Sequence, residues 1–215
     1  MPIEPSRTAL TPRIRILLLT LMVGVQLLYV PLNRTITGGV ILLTPWDRLV
    51  PFWPLWAIPY ALCIPWWAAS FAWAASKMDD SRLRAFVVAS IVVMASSYLI
   101  YMLFPTYIQR PMVAADSSWR TAIIRYIYAN DRLNNAFPSG HTYLTMLIVL
   151  FWWDWYPRFR VLWVLCAIVV VLSTLFTGQH NLPDPIGGII WAWAGTRFGW
   201  WVEERRKAMA HAKRS

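Results

Sequence analysis

The sequence predicts an all-α, polytopic membrane protein, a bundle of six transmembrane helices with a short amphipathic helix on its outer surface. Hydrophobic residues fill 58% of the 215 positions and charged ones 14%, too little polar surface to cover a water-exposed globule. Mean hydropathy is +0.47, which agrees. The 20 Lys and Arg, source of a formal net charge of +10, stand in short clusters between long apolar runs, a pattern of loops flanking membrane spans and not of a nucleic-acid-binding surface. Disordered and disulfide-stapled classes are excluded by the same composition. The two cysteines, Cys63 and Cys166, fall inside apolar runs and make no zinc site by themselves.

A helix rising 1.5 Å per residue needs about 20 residues to cross roughly 30 Å of hydrocarbon. Six runs approach that length: Ile14 to Leu32, Trp53 to Ala75, Ala85 to Phe104, His141 to Tyr156, Val161 to Phe176 and Pro185 to Val202. The first follows Arg7, Arg13 and Arg15; it is longer than a signal-peptide core and lacks a small-x-small cleavage site, so it reads as a retained helix. Pro65 is expected to kink the second run. Asp154 and Pro157 separate the shorter fourth and fifth runs, where a cytoplasmic turn fits.

The connection from Pro105 to Pro138 is long enough to carry function. Within it Ser117 or Ser118 can cap a helix whose apolar side holds Trp119, Ile123, Ile124, Ile127 and Tyr128, expected to lie on the outer membrane surface. If that helix continues, Arg125 and Arg132 share a face and gather either a substrate phosphate or lipid phosphates. No internal repeat or second domain is visible, so residues 1–215 read as one membrane domain.

Six spans place both termini on one side. Fourteen of the 20 basic residues then lie on the terminal side, among them Lys77, Arg82, Arg84, Arg158, Arg160, Arg205, Arg206 and Arg214. The positive-inside rule makes both termini cytoplasmic, in a cell membrane, and turns the Ser118 region outward. Pairs such as Trp66–Trp67 and Trp200–Trp201 suit the headgroup layer as anchors. The basic tail from Glu203 reads as a cytoplasmic flank, with anionic lipid or nucleic acid as the less favoured partners.

Two of the three histidines stand at outward helix edges beside polar groups. In Pro138-Ser139-Gly140-His141, Ser139 can N-cap the fourth helix and Gly140 lets a ligand approach the backbone. Free amides at a helix start, with the serine hydroxyl, form an anion site; a plain cap with an interfacial histidine is the alternative. In Thr177-Gly178-Gln179-His180-Asn181-Leu182-Pro183-Asp184-Pro185, Asp184 reads as the N-cap of the sixth helix with Pro185 at its first position. Its carboxylate can also accept the Nδ1–H of His180, leaving Nε2 free as a nucleophile. Two such clusters on one predicted membrane face can meet on a single phosphate. No group of carboxylates, histidines or cysteines on that face suits a metal, and no cofactor is called for.

With these residues the chain resembles the type 2 phosphatidic acid phosphatase superfamily of membrane lipid phosphatases and phosphotransferases, from Phe104 to Gly188. Arg110-Pro111 matches the end of that family's first motif, Pro138-Ser139-Gly140-His141 the whole second, and Ser173-Thr174, His180 and Asp184 the third. The resemblance implies that Arg110, Ser139 and Gly140 bind substrate phosphate, that His141 is the general acid, and that His180 is the nucleophile oriented by Asp184. Leu103 and Thr174 replace the family's lysine and arginine, a pattern similar to the branch of inositol phosphorylceramide synthases, and Arg125, Arg132 and Gln179 are the candidate substitutes. The implied function is a metal-independent lipid phosphate or diphosphate phosphatase working through a phosphohistidine at the extracytoplasmic face. Its partners are the lipid phosphate substrate and membrane lipids. The rivals are transfer of the phosphoryl group to an alcohol such as a polyol, and non-catalytic binding or transport of lipid phosphate, the latter favoured by Leu103 and Thr174.

Overall fold

The computed structural model describes residues 9–113 and 118–213, so Arg7, Ser117 and Arg214 lie outside the described residues. Eight α-helices follow one another: α1 (Pro12–Leu27), α2 (Tyr29–Thr35), α3 (Ala57–Lys77), α4 (Asp80–Leu103), α5 (Trp119–Asn130), α6 (Gly140–Trp155), α7 (Arg160–Phe176) and α8 (Pro183–Ala212). Short 3-10 turns lead into α3 and α7, and another spans Pro45–Leu49. Among the described residues there are no strands, only two isolated bridges, Val40 with Thr106 and Tyr107 with Asn134. The chain is all-helical.

Four segments are long and apolar enough to cross a membrane: Pro12–Thr35, Pro54–Lys77, Asp80–Leu103 and Pro157–Phe176. The fourth and sixth runs do not join them on that measure. Helix α6 has 16 residues, about 24 Å at the α-helical rise, and α8, with 30 residues, mixes glycine, tryptophan and Arg197 into its apolar half. Helix α6 is central, packing against α4, α7 and α8, while α8 packs one face on α4 and α6 and leaves Ile186, Ile190 and Trp193 exposed. Helix α3 runs through Pro65 as one helix.

The core is built where α4 and α6 bury whole faces, including Phe86, Val93, Tyr101, Leu147, Phe151 and Trp152. Edge-to-face contacts of Phe86 with Phe151 and Trp152, at 5.1 and 5.6 Å, order its middle. At one end, Arg15 pairs with Asp80 at 2.5 Å, and Arg84 and Arg206 both grip the Glu203 carboxylate at 3.2 and 2.8 Å. These residues lie at the start of α4 and late in α8, so the start of α8, with His180 and Asp184, lies at the opposite end.

Helix α5 forms within the 105–138 connection, where the sequence predicts an amphipathic helix. It starts after the Ser118 cap, but Ile124 and Ile127 are buried against Ala57 and Tyr60 at the start of α3, while Trp119 is exposed. A helix with a narrow apolar stripe buries it equally well against protein or lipid, and periodicity alone does not choose. It also ends at Asn130, so Arg125 and Arg132 do not share a helical face.

Candidate active site

Three segments converge at the α8-start end of the bundle: the turn 134–139 into α6, the turn 177–182 into α8, and the strand-like stretch 104–111 after α4. Ser139 caps α6, its Oγ accepting from the Thr142 amide and hydroxyl at 3.4 and 3.1 Å. Its own amide donates to the Asp184 carbonyl at 3.0 Å, which ties the two motifs together. Gly188 permits that approach, because a Cβ there would sit 2.9 Å from the Ser139 carbonyl oxygen. Tyr101 adds a bond of 2.7 Å from its hydroxyl to the Pro138 carbonyl. The first amides of α6, at Gly140 and His141, have no intrahelical acceptor, which leaves an anion-binding helix start.

The 177–182 segment turns at Gly178, whose φ of +64° and 2.5 Å Cβ distance to Pro111 admit no side chain. That turn presents His180. Its Nδ1 lies 3.3 Å from Asp184 Oδ2, the oxygen that also accepts the Asn181 amide at 2.9 Å. Helix α8 begins at Pro183, one residue ahead of Asp184, so Asp184 belongs to the first turn and not to the N-cap position, which is Leu182. The carboxylate reaches back to the Asn181 amide instead. With Nδ1 engaged by Asp184, Nε2 of His180 is the nitrogen available for bond formation.

His141 faces His180 with 6.3 Å between ring centroids. It stacks on Tyr60 at 4.2 Å and 26°, and the Tyr60 hydroxyl is 3.5 Å from its Nδ1. Tyr60 donates to Asp131 Oδ2 at 3.0 Å and Tyr29 to Oδ1 at 2.9 Å. Tyr60 thus stands between the Asp131 carboxylate and the His141 ring. The sequence reading missed this Asp131–Tyr60 pair, because α3, α5 and α6 bring it together across long separations. Asp131→Asn should lower kcat roughly tenfold with little change in KM, a split that loss of substrate binding does not produce; steady-state kinetics on one lipid phosphate measures it.

Arg110 lies beside the site and is anchored through the carbonyls of Tyr128 (3.2 Å) and Arg132 (3.1 Å) and by Gln179 Oε1. Its guanidinium lies over the Tyr128 ring at 4.4 Å. Burial pulls the Arg110 pKa below its ordinary value against the opposing charge of Asp131, and burial pushes the Tyr128 phenol up to about 12 against Arg110. Arg110 Nε and Gln179 Nε2 are buried without a hydrogen-bond partner, two donors left over beside the histidines.

The other cations singled out in the sequence, Arg125 and Arg132, are elsewhere. Arg125 is on the exposed side of α5, and exposed Arg132 donates to the Arg34 carbonyl at 3.1 Å. Leu103 is 75% exposed at the end of α4, and buried Thr174 spends its hydroxyl on the Val171 carbonyl. Among the described residues no three His, Cys, Asp or Glu side chains gather in a way that could hold a metal ion.

A cavity of about 540 Å³ opens beside His180, lined by Ile41, Leu43, Arg48, Phe52 and Leu175 among others. Its outer wall is the 36–53 connection, to which the sequence reading gave no role. Asp47 fixes it, capping the Pro45–Leu49 turn through Thr44 and accepting the Leu182 amide at 2.6 Å two residues after His180. A carboxylate two residues after a proline carries no sequence mark of such a long-range bond. A smaller void borders both His141 and His180.

No curated protein and no solved structure matches the chain. The model of the PAP2 superfamily, whose members are phosphatases and phosphotransferases, matches residues 86–208, from within α4 to the last turns of α8, more than half of the chain. That span holds Arg110, the Ser139–His141 helix start and the His180–Asp184 pair, and the chain belongs to the PAP2 superfamily.

Proposed function

We propose that the protein is an integral membrane phosphatase of lipid phosphates or diphosphates that works through a phosphohistidine. The observation that carries this reading is the pair of histidine rings 6.3 Å apart, one backed by Asp184 and the other by Tyr60 and Asp131. His180 Nε2 attacks phosphorus in line, and His141 protonates the departing oxygen. Water then attacks the phosphohistidine, with His141 as base. Arg110 and the first amides of α6 meet the charge on the equatorial oxygens, aided by the leftover donors Arg110 Nε and Gln179 Nε2. The cavity beside His180 is large enough for the head of a lipid substrate.

All six apolar helices cross the membrane in this reading, with α6 at the centre, both termini cytoplasmic and the site at the extracytoplasmic face. The charged end marked by Asp80, Arg84, Glu203 and Arg206 supports that orientation, since it lies opposite the histidines.

The test is phosphate release by purified protein over a panel of lipid phosphates and diphosphates, with a chelator and with vanadate. Activity should survive the chelator and fall with vanadate, which imitates five-coordinate phosphorus. Activity lost to the chelator and restored by a divalent ion overturns the mechanism.

A further inference from the structure

The small void between the histidines carries two polar side chains with no structural duty. It is bordered by Gln26 of α1, Tyr29, Trp67, Asn135, His141 and His180 among others, and has a volume of about 40 Å³. Asn135 is 3% exposed, yet neither its Oδ1 nor its Nδ2 has a hydrogen-bond partner, and the Gln26 Oε1 is equally orphaned. Buried amides left unpaired are costly and call for an occupant.

Asn135 is not needed to hold its own turn. Asn33 donates to the Asn134 carbonyl at 3.2 Å, the Asn134 amide reaches the Gly38 carbonyl at 2.8 Å, and the Phe137 amide donates to Thr106 Oγ1 at 2.8 Å. These bonds fix the chain on both sides of Asn135, whose φ of +65° aims its side chain independently of them.

We propose that Asn135 and Gln26 form the subsite for the hydroxyl that attacks phospho-His180, and that this subsite selects water over an alcohol. The proposal rests on the phosphohistidine reading above and deepens it. A pocket of about 40 Å³ exceeds the roughly 10–15 Å³ that one water requires. Water there has every valence met. One O–H points to His141 and the second to Asn135 Oδ1 or Gln26 Oε1; one lone pair accepts from Asn135 Nδ2 and the other faces phosphorus. An alcohol replaces the second O–H with carbon and strands the acceptor, the kind of mismatch by which buried polar groups reject an analogue. In the step itself the new O–P bond forms as the Nε2–P bond breaks. The bonding pair returns to His180 and the proton passes to His141.

The experiment measures products of an aryl phosphate in water containing methanol, for the wild type, Asn135→Gly and Gln26→Met. Glycine retains the positive φ that position 135 needs, and methionine matches the length of Gln26 without its carbonyl. Wild type should yield inorganic phosphate with methyl phosphate well below the methanol mole fraction, and either variant should raise the methyl phosphate share by roughly fivefold or more. This ratio does not move when a variant merely folds less well. Turnover with a share equal in wild type and both variants overturns the subsite and leaves the phosphatase reading standing. Wild-type protein that releases no aryl alcohol and no phosphate overturns the phosphatase reading, and the subsite with it.

Discussion

His180→Ala is expected to abolish turnover of every substrate, while His141→Ala keeps measurable activity on an activated aryl phosphate and loses it on a lipid alkyl phosphate. The two rings face each other, but their partners differ. His180 Nδ1 meets a carboxylate oxygen at 3.3 Å, which fixes a tautomer with a basic Nε2. His141 stacks on a tyrosine whose hydroxyl is itself committed to Asp131. Loss of the nucleophile removes the covalent route, and losses on the order of 10⁴-fold or more are typical where catalytic residues act as a unit. Loss of the acid matters in proportion to how poor the leaving group is. Rates for both variants on one aryl and one lipid phosphate decide the assignment. Equal losses on the two substrates for His141→Ala remove its general-acid role, and an active His180→Ala protein removes the nucleophile.

The second large effect concerns Arg110. Leu103 points away at the end of α4 and Thr174 is closed off within α7, so neither position supplies the cation that the motif pattern otherwise has there. Arg110 is therefore expected to carry most of the positive charge that meets the phosphate. Arg110→Ala should lower kcat/KM by about 10- to 150-fold, the equivalent of about 1.5–3 kcal/mol for a charge-assisted hydrogen bond. Arg110→Lys should not restore it, because the backbone carbonyls of Tyr128 and Arg132 and the Gln179 amide are arranged around a planar fork. Vanadate affinity should fall in step with kcat/KM. If Arg110→Ala keeps wild-type vanadate affinity while its thermal unfolding midpoint drops, Arg110 serves the fold and not the phosphate.

Much of this architecture was legible in one dimension. Apolar runs of about 20 residues announce helices because a backbone in hydrocarbon must satisfy its own polar groups, and the first five runs fall within about five residues of α1 with α2, α3, α4, α6 and α7, while α8 continues past the sixth run to Ala212. The Ser139 cap and the His180–Asp184 contact were readable for a related reason: each joins residues within one turn of chain, where spacing alone sets geometry. The PAP2 motifs lie in the same local stretches.

What the tertiary structure decided are the bonds that cross the bundle. Asp131 reaches His141 only because α3 supplies Tyr60 between them, and α2 adds Tyr29 to the same carboxylate. Asp47 secures the turn after His180 from 135 residues away, and Ile124 and Ile127 of α5 pack against Ala57 and Tyr60. Arg125 and Arg132 part company because the helix ends at Asn130. Such pairings depend on which helices are neighbours and how each is rotated about its axis. Hydrophobic periodicity says that a face is buried, and only the packing of the whole chain says against what.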